Sequence, residues 1–139
     1  MSGNPFLWIK KRFSKDRKYY EMVDNIFGVY PNNIELYKLA LIHRSATIRL
    51  ENGTPINNER LEFLGDAVLE SIVSDFLFIE YPKENEGFLS KVRSRIVSRS
   101  TLNNICKKIG LDKFLITQQS NKHLQKHLYG DALEAMVGA

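Results

Sequence analysis

Asn58-Glu59-Arg60-Leu61-Glu62-Phe63-Leu64-Gly65-Asp66-Ala67-Val68-Leu69-Glu70 decides how this 139-residue chain is read. At about 100° per residue, Glu59, Glu62, Asp66 and Glu70 fall within an arc of about 80°, while Leu61, Leu64, Val68 and Ile72 gather on the opposite side. The stretch predicts an amphipathic helix with an acidic stripe, capped at Asn57 or Asn58 and running to about Glu80, where Tyr81-Pro82 stops it. Like charges three and four residues apart oppose a helix by about 0.2–0.5 kcal/mol per pair, so the stripe calls for cations, arginines or solvent. Phe63 projects among the carboxylates, away from Leu61, Leu64 and Val68. The pattern leaves two places for it open: exposed for a protein partner, or covered by another helix of the same chain.

Outward from this helix, helical periodicity dominates and no segment alternates cleanly enough to predict a sheet, so the expected class is all-α. Residues 1–19 form a basic N-terminal segment, six of the nine residues from Lys10 to Lys18 being basic. Residues 20–139 form one domain. Within it the spacing predicts helices from about Asn33 to Ile42, from Phe88 to Arg99, from Ser100 or Thr101 to near Gly110, and from about Lys122 onward. Glu51 to Pro55 is turn chemistry. His43-Arg44-Ser45 closes the helix before it.

The composition narrows the function classes. A net charge of +4 is a mild invitation to a polyanion. The lone cysteine, Cys106, excludes an internal disulfide and sits among apolar residues, which favours a reducing, cytoplasmic setting. No run of apolar residues is long enough for a membrane helix, and the apolar Phe6 to Ile9 precedes its basic cluster, the reverse of a signal peptide.

A second acidic pair, Asp131 and Glu134, shares one face of the last helix, amid Gly130, Ala132, Ala135, Gly138 and Ala139. Small residues let backbones approach, so this helix is expected to lie against the helix of Glu62 and Asp66, whose Gly65 and Ala67 are also small. Two acids from each helix would then converge. Oxygen-only ligands suit hard cations, Mg²⁺ or Mn²⁺, and such a site can activate water against a phosphodiester. A solvated acidic face is the competing reading.

The order and spacing of Asn58 to Leu69 (NERLEFLGDAVL), His43-Arg44-Ser45, Glu86 to Ser90 (EGFLS) and Asp131 to Ala139 (DALEAMVGA) resemble the ribonuclease III family of double-stranded-RNA endonucleases. The resemblance runs from about Tyr20 to the end. It implies an all-helical, homodimeric endonuclease domain that cuts duplex RNA to 5′-phosphate and 3′-hydroxyl ends with short 3′ overhangs, in ribosomal, messenger and transfer RNA processing. Carried over by position, it implies that Glu62, Asp66, Asp131 and Glu134 hold Mg²⁺, for which Mn²⁺ can substitute. Asp66 and Glu134 would be the most directly catalytic, with Glu59 and Glu86 in support. Phe63 would enter a pocket of the other subunit.

Lys91, Arg95 and Arg99, at four-residue steps, are candidates to line the RNA valley or to form a solvated face. His43 is expected to be structural. Against the family pattern, the last helix is cut short and the double-stranded-RNA-binding domain is absent from residues 1–139, so the sequence is expected to be part of a longer protein. Gly130 stands where the family often has Ala. The alternative to a nuclease is a non-catalytic RNA-binding or scaffold module of the same fold.

Overall fold

The computed structural model describes residues 14–118 and 125–139. Most of the basic segment 1–19 and the predicted helix start near Lys122 lie outside them. The chain divides after Lys38 into two compact units.

In the first unit, helix α1 (Arg17–Phe27) buries Met22 and Val23 and ends at Gly28, whose φ of 65° carries the backbone into the left-handed turn that a side chain disfavours. Tyr20 stacks on Tyr30 at 5.4 Å between ring centroids. Helix α2 (Ile34–Ala40) begins here, and its Lys38 pairs with both Asp16 and Glu35, which raises the Lys38 pKa.

The second unit carries the acidic helices. Arg44–Ala46 form a 3₁₀ turn capped by His43, so the segment after α2 is a separate element and not the end of that helix. Two residues on each side of the expected turn then pair as antiparallel strands, β1 (Ile48–Arg49) and β2 (Pro55–Ile56), with Ile48 opposite Ile56. This corrects the expectation of no sheet. A two-residue strand is too short to show alternation in sequence.

Helix α3 (Glu59–Glu80) ends where the sequence predicts. Both asparagines hold its start: Asn57 Oδ1 accepts from the Glu59 N–H at 3.1 Å, while buried Asn58 receives no helical N–H on its side chain and instead donates from Nδ2 to the Ala40 carbonyl. Helices α4 (Glu86–Ile96) and α5 (Arg99–Lys108) follow. The predicted single helix from Phe88 to Arg99 breaks earlier than expected, because Ser98 takes an extended backbone and its Oγ accepts from the Thr101 N–H at 3.3 Å. Cys106 is fully buried in α5, and burial pushes its thiol up to about 12, as expected of an inert filler.

A 3₁₀ turn (Leu111–Phe114) leads toward the last helix, α6 (Gln125–Gly138). This helix is the centre of the unit. Leu128, Ala132, Leu133, Ala135 and Met136 are all buried, and it packs chiefly on α3 and α5. A Cβ built on Gly65 would fall onto the carbonyl oxygen of Glu134, and one on Gly138 onto that of Leu61. The α3–α6 crossing thus requires two glycines. The small-residue expectation holds at Gly65 and Gly138, whereas Ala67 is exposed.

The inward face of α3 differs from the expected one. Leu61, Gly65 and Leu77 are its buried residues, while Leu64 and Ile72 are 50% and 57% exposed. Rows of residues four apart drift around a helix by about 40° per step, and α6 packs along such a row. A fixed wheel face misses that drift.

Candidate functional site

The close crossing carries the acids together. Glu59, Glu62, Asp66 and Glu70 from α3 and Asp131 and Glu134 from α6 line one cleft of about 400 Å³, together with Arg44, Val97 and Arg99. Six carboxylates share the cleft with two guanidiniums; Glu59, Asp66 and Glu70 are exposed to screening water, whereas Glu62 and Glu134 are half-buried and Asp131 is buried, so repulsion concentrates on those three.

Glu62, Asp131 and Glu134 each present an oxygen within 4.8 Å of the others, the spacing at which one cation can bridge them. Asp66, expected as a fourth ligand, shares the cleft but stands outside this trio. Glu59 lies in the cleft as well. Glu86 does not: it lines a separate groove between α3 and α4, with Ser74, Phe78 and Arg93, and accepts a hydrogen bond from Ser90 Oγ at 2.6 Å. Phe63 is 82% exposed at the cleft edge, so within this chain it is not a core residue.

Electrostatics express the crowding. Burial, then the charges of Asp66, Asp131 and Glu62, push the Glu134 carboxyl up to about 7, with Arg99 opposing. Burial and Asp131 raise Glu62, and burial raises Asp131, which is only 7% exposed. These groups resist ionising together, which is the condition a bound divalent cation relieves. All three are oxygen donors, as Mg²⁺ or Mn²⁺ prefers, and the trio contains no His or Cys that would favour zinc.

His43 takes the structural place expected of it. It is 2% exposed, its Nδ1 accepts from the Ser45 N–H at 3.1 Å, and burial lowers its pKa, with Asp131 and Glu59 opposing. The expected row Lys91, Arg95 and Arg99 is split. Lys91 and Arg95 are exposed on α4, whereas the Ser98 break turns Arg99 into the acid cleft. The place of Arg44 and Arg99 beside the acids went unread in the sequence; the signal for Arg99 was the Ser-x-x-Thr cap at Ser98.

Residues 33–139 match the family described as Ribonuclease-III-like. This chain belongs to the ribonuclease III family. Ribonuclease 3 of Bacteroides fragilis is 47% identical to it over 131 residues, covering 94% of this chain and 45% of that protein. Ribonuclease 3 of Flavobacterium psychrophilum is 38% identical, covering 96% and 54%. The chain therefore spans about half the length of the curated relatives it matches. The nuclease domain of ribonuclease III from Campylobacter jejuni, which has a region involved in dimer formation, superposes with a TM-score of 0.72 at 32% identity, covering 85% of this chain and 81% of that one. Dicer from Pichia stipitis gives 0.59 at 32% identity, over 80% and 46%. The ribonuclease III fold implied by the sequence is thereby established, mostly helical with the one short β1–β2 pair among the described residues. No helix among the described residues is long and apolar enough to cross a membrane.

Proposed function

We propose that this chain is the catalytic part of a cytoplasmic, divalent-metal-dependent endonuclease that hydrolyses double-stranded RNA to 5′-phosphate and 3′-hydroxyl ends with short 3′ overhangs, in maturation of ribosomal and other RNAs. One observation carries the reading: three carboxylates from two helices meet within 4.8 Å of one another in an open cleft, inside a ribonuclease III fold.

Glu62, Asp131 and Glu134 are the residues that would hold Mg²⁺, with Mn²⁺ as a substitute, and Asp66 adjoins Glu134 to shape the water-facing side. When bound, such a cation supplies the positive charge that activates a water and neutralises the leaving oxygen. The chain's own contribution is preorganisation. The glycine-enforced crossing fixes α3 against α6, so the carboxylates need not be gathered at each turnover. In the metal-free state burial, then the charge of Asp66, pushes the Glu134 carboxyl up to about 7, a strain that a cation held by the trio would relieve. Glu59 at the cleft supports these groups, and Glu86 acts from the neighbouring groove.

A-form RNA presents its 2′-hydroxyls and phosphates across a shallow minor groove, a shape rather than a sequence to be read. The exposed Phe63 and the apolar outer surface of α3 fit a homodimer in which two clefts face one duplex. Cleavage of a long RNA duplex in Mg²⁺ and in chelator tests the reading. Metal-dependent cutting that Asp66→Asn or Glu134→Gln abolishes, in a folded variant, is expected; duplex binding with no metal-dependent cutting would instead identify a scaffold module.

A further inference from the structure

We propose that Arg44 and Arg99, which line the acid cleft, are the residues that grip RNA phosphates there, an inference that rests on the nuclease reading above. Both line the cleft from different elements, Arg44 from the 3₁₀ turn and Arg99 from the first turn of α5. Both side chains are exposed, and among the described residues neither makes an ion pair within 4 Å, although six carboxylates share their cleft. Elsewhere in the same chain basic side chains do pair when acids are near, as Lys38 does with Asp16 and Glu35. The cleft arginines are left with their guanidiniums outside ion-pair distance of the acids.

Those backbones are tightly anchored. The turn bearing Arg44 is tied on both sides: His43 N–H donates to the Ile116 carbonyl at 3.0 Å, Ser45 Oγ bonds Thr117 Oγ1 at 3.0 Å, and Thr47 Oγ1 donates to the Arg44 carbonyl. The corner before Arg99 is locked by Ser98 Oγ accepting from the Thr101 N–H and by Thr101 Oγ1 donating to the Arg95 carbonyl at 2.9 Å. A fixed backbone carrying an unpaired guanidinium suits bidentate phosphate recognition, because the planar fork is pre-organised and only the arm need be ordered on binding. The N-terminal end of α5, which borders the cleft, adds a favourable field for an anion.

The charge balance demands such residues. A phosphodiester approaching six carboxylates is repelled, and cations held by the trio would act only at their own position. Guanidiniums in the same cleft attract the neighbouring phosphates and leave the acids to the metal. The two arginines already act on the acids through space, Arg99 opposing the upward shifts of Glu62, Asp131 and Glu134 and Arg44 those of Glu62 and Asp131.

The test is binding, free of turnover. Fluorescence anisotropy of a short labelled RNA duplex is measured in Ca²⁺ and in chelator across a KCl series for wild type, Arg44→Gln, Arg99→Gln and Arg99→Lys, with Mn²⁺ affinity followed by electron paramagnetic resonance. Each Gln variant is expected to bind about tenfold more weakly at 0.1 M salt and to lower the slope of log K against log salt by about 1, with Arg99→Lys recovering the slope. Thermal unfolding confirms that the variants are folded. Unchanged slopes would overturn the proposal, whether Mn²⁺ binding tightens, in which case the arginines are only counter-ions to the acids, or stays as it was. A wild type that neither binds nor cuts duplex RNA would defeat the nuclease reading itself, whereas one that does both beside variants of unaltered slope defeats this inference alone.

Discussion

Helices α3 and α6 supply the same chemical groups from opposite surroundings. α6 is buried on nearly every side, so Asp131 and Glu134 enter the cleft from the core and carry the cost of desolvation. α3 is 22 residues long, yet only Leu61, Gly65 and Leu77 are buried, and Phe63, Phe76, Phe78 and Ile79 are more than half exposed. The difference teaches that one helix is covered by its own chain while the other leaves large apolar side chains uncovered among the described residues.

The comparison breaks most violently at the crossing. Gly65→Ala is expected to destabilise the fold by about 3 kcal/mol or more, because the added methyl meets backbone that cannot rotate away. Chemical denaturation checks this, and a loss below about 1 kcal/mol would mean that the helices are not so close.

Phe63→Ala sharpens the contrast on the exposed side. It is expected to weaken self-association by about 2 kcal/mol, roughly thirtyfold in the dimer dissociation constant, while leaving the monomer's unfolding unchanged. Sedimentation that shows an undiminished dimer would assign the interface to other residues.

The desolvated acids of α6 give a pH signature. Glu134 ionises near 7 in the fold against 4.5 for the unconstrained group, so the native state retains a proton that the unfolded chain has lost. The penalty grows as pH rises from about 4.5 to about 7 and is constant above. Metal-free Glu134→Gln should therefore gain thermal stability relative to the parent between pH 5 and pH 8, and Mg²⁺ should stabilise the parent more than the variant at pH 8. A stability difference that does not change with pH would remove this role for Glu134.

The smallest effect lies at Gly130, in the same helix as Gly138 but with room to spare. A Cβ there would meet Asn103 Oδ1 at 3.4 Å and Leu102 Cβ at 3.5 Å, ordinary contacts. Gly130→Ala is expected to stabilise by about 0.5–1 kcal/mol through lower unfolded-state entropy, read as a rise in melting temperature. A destabilised variant would show that the Gly130 N–H bond to Asn103 Oδ1, 2.7 Å long, cannot tolerate the added methyl.

Much of this was legible in the residues. The acidic stripe, the α3 end at Tyr81-Pro82, the small-residue contact and the cleft membership of Glu59, Glu62, Asp66, Asp131 and Glu134 all follow from spacing, or from the resemblance, because they are encoded locally. What was not legible depends on distant parts. The buried row of α3 is selected by the path of α6, so Leu64 and Ile72 fall outside although a wheel puts them inside. Arg99 joins the cleft because the chain bends at Ser98, two residues before the predicted start. Glu86 faces another groove because α4 leans on the middle of α3 and not on its acidic start. That Glu62, and not Asp66, completes the trio with Asp131 and Glu134 depends on side-chain directions that spacing does not resolve.

A crystal structure soaked in Mn²⁺ and read by anomalous scattering tests the account most directly. It should show an ion liganded by oxygens of Glu62, Asp131 and Glu134. No anomalous peak within reach of those carboxylates at millimolar Mn²⁺ would contradict it.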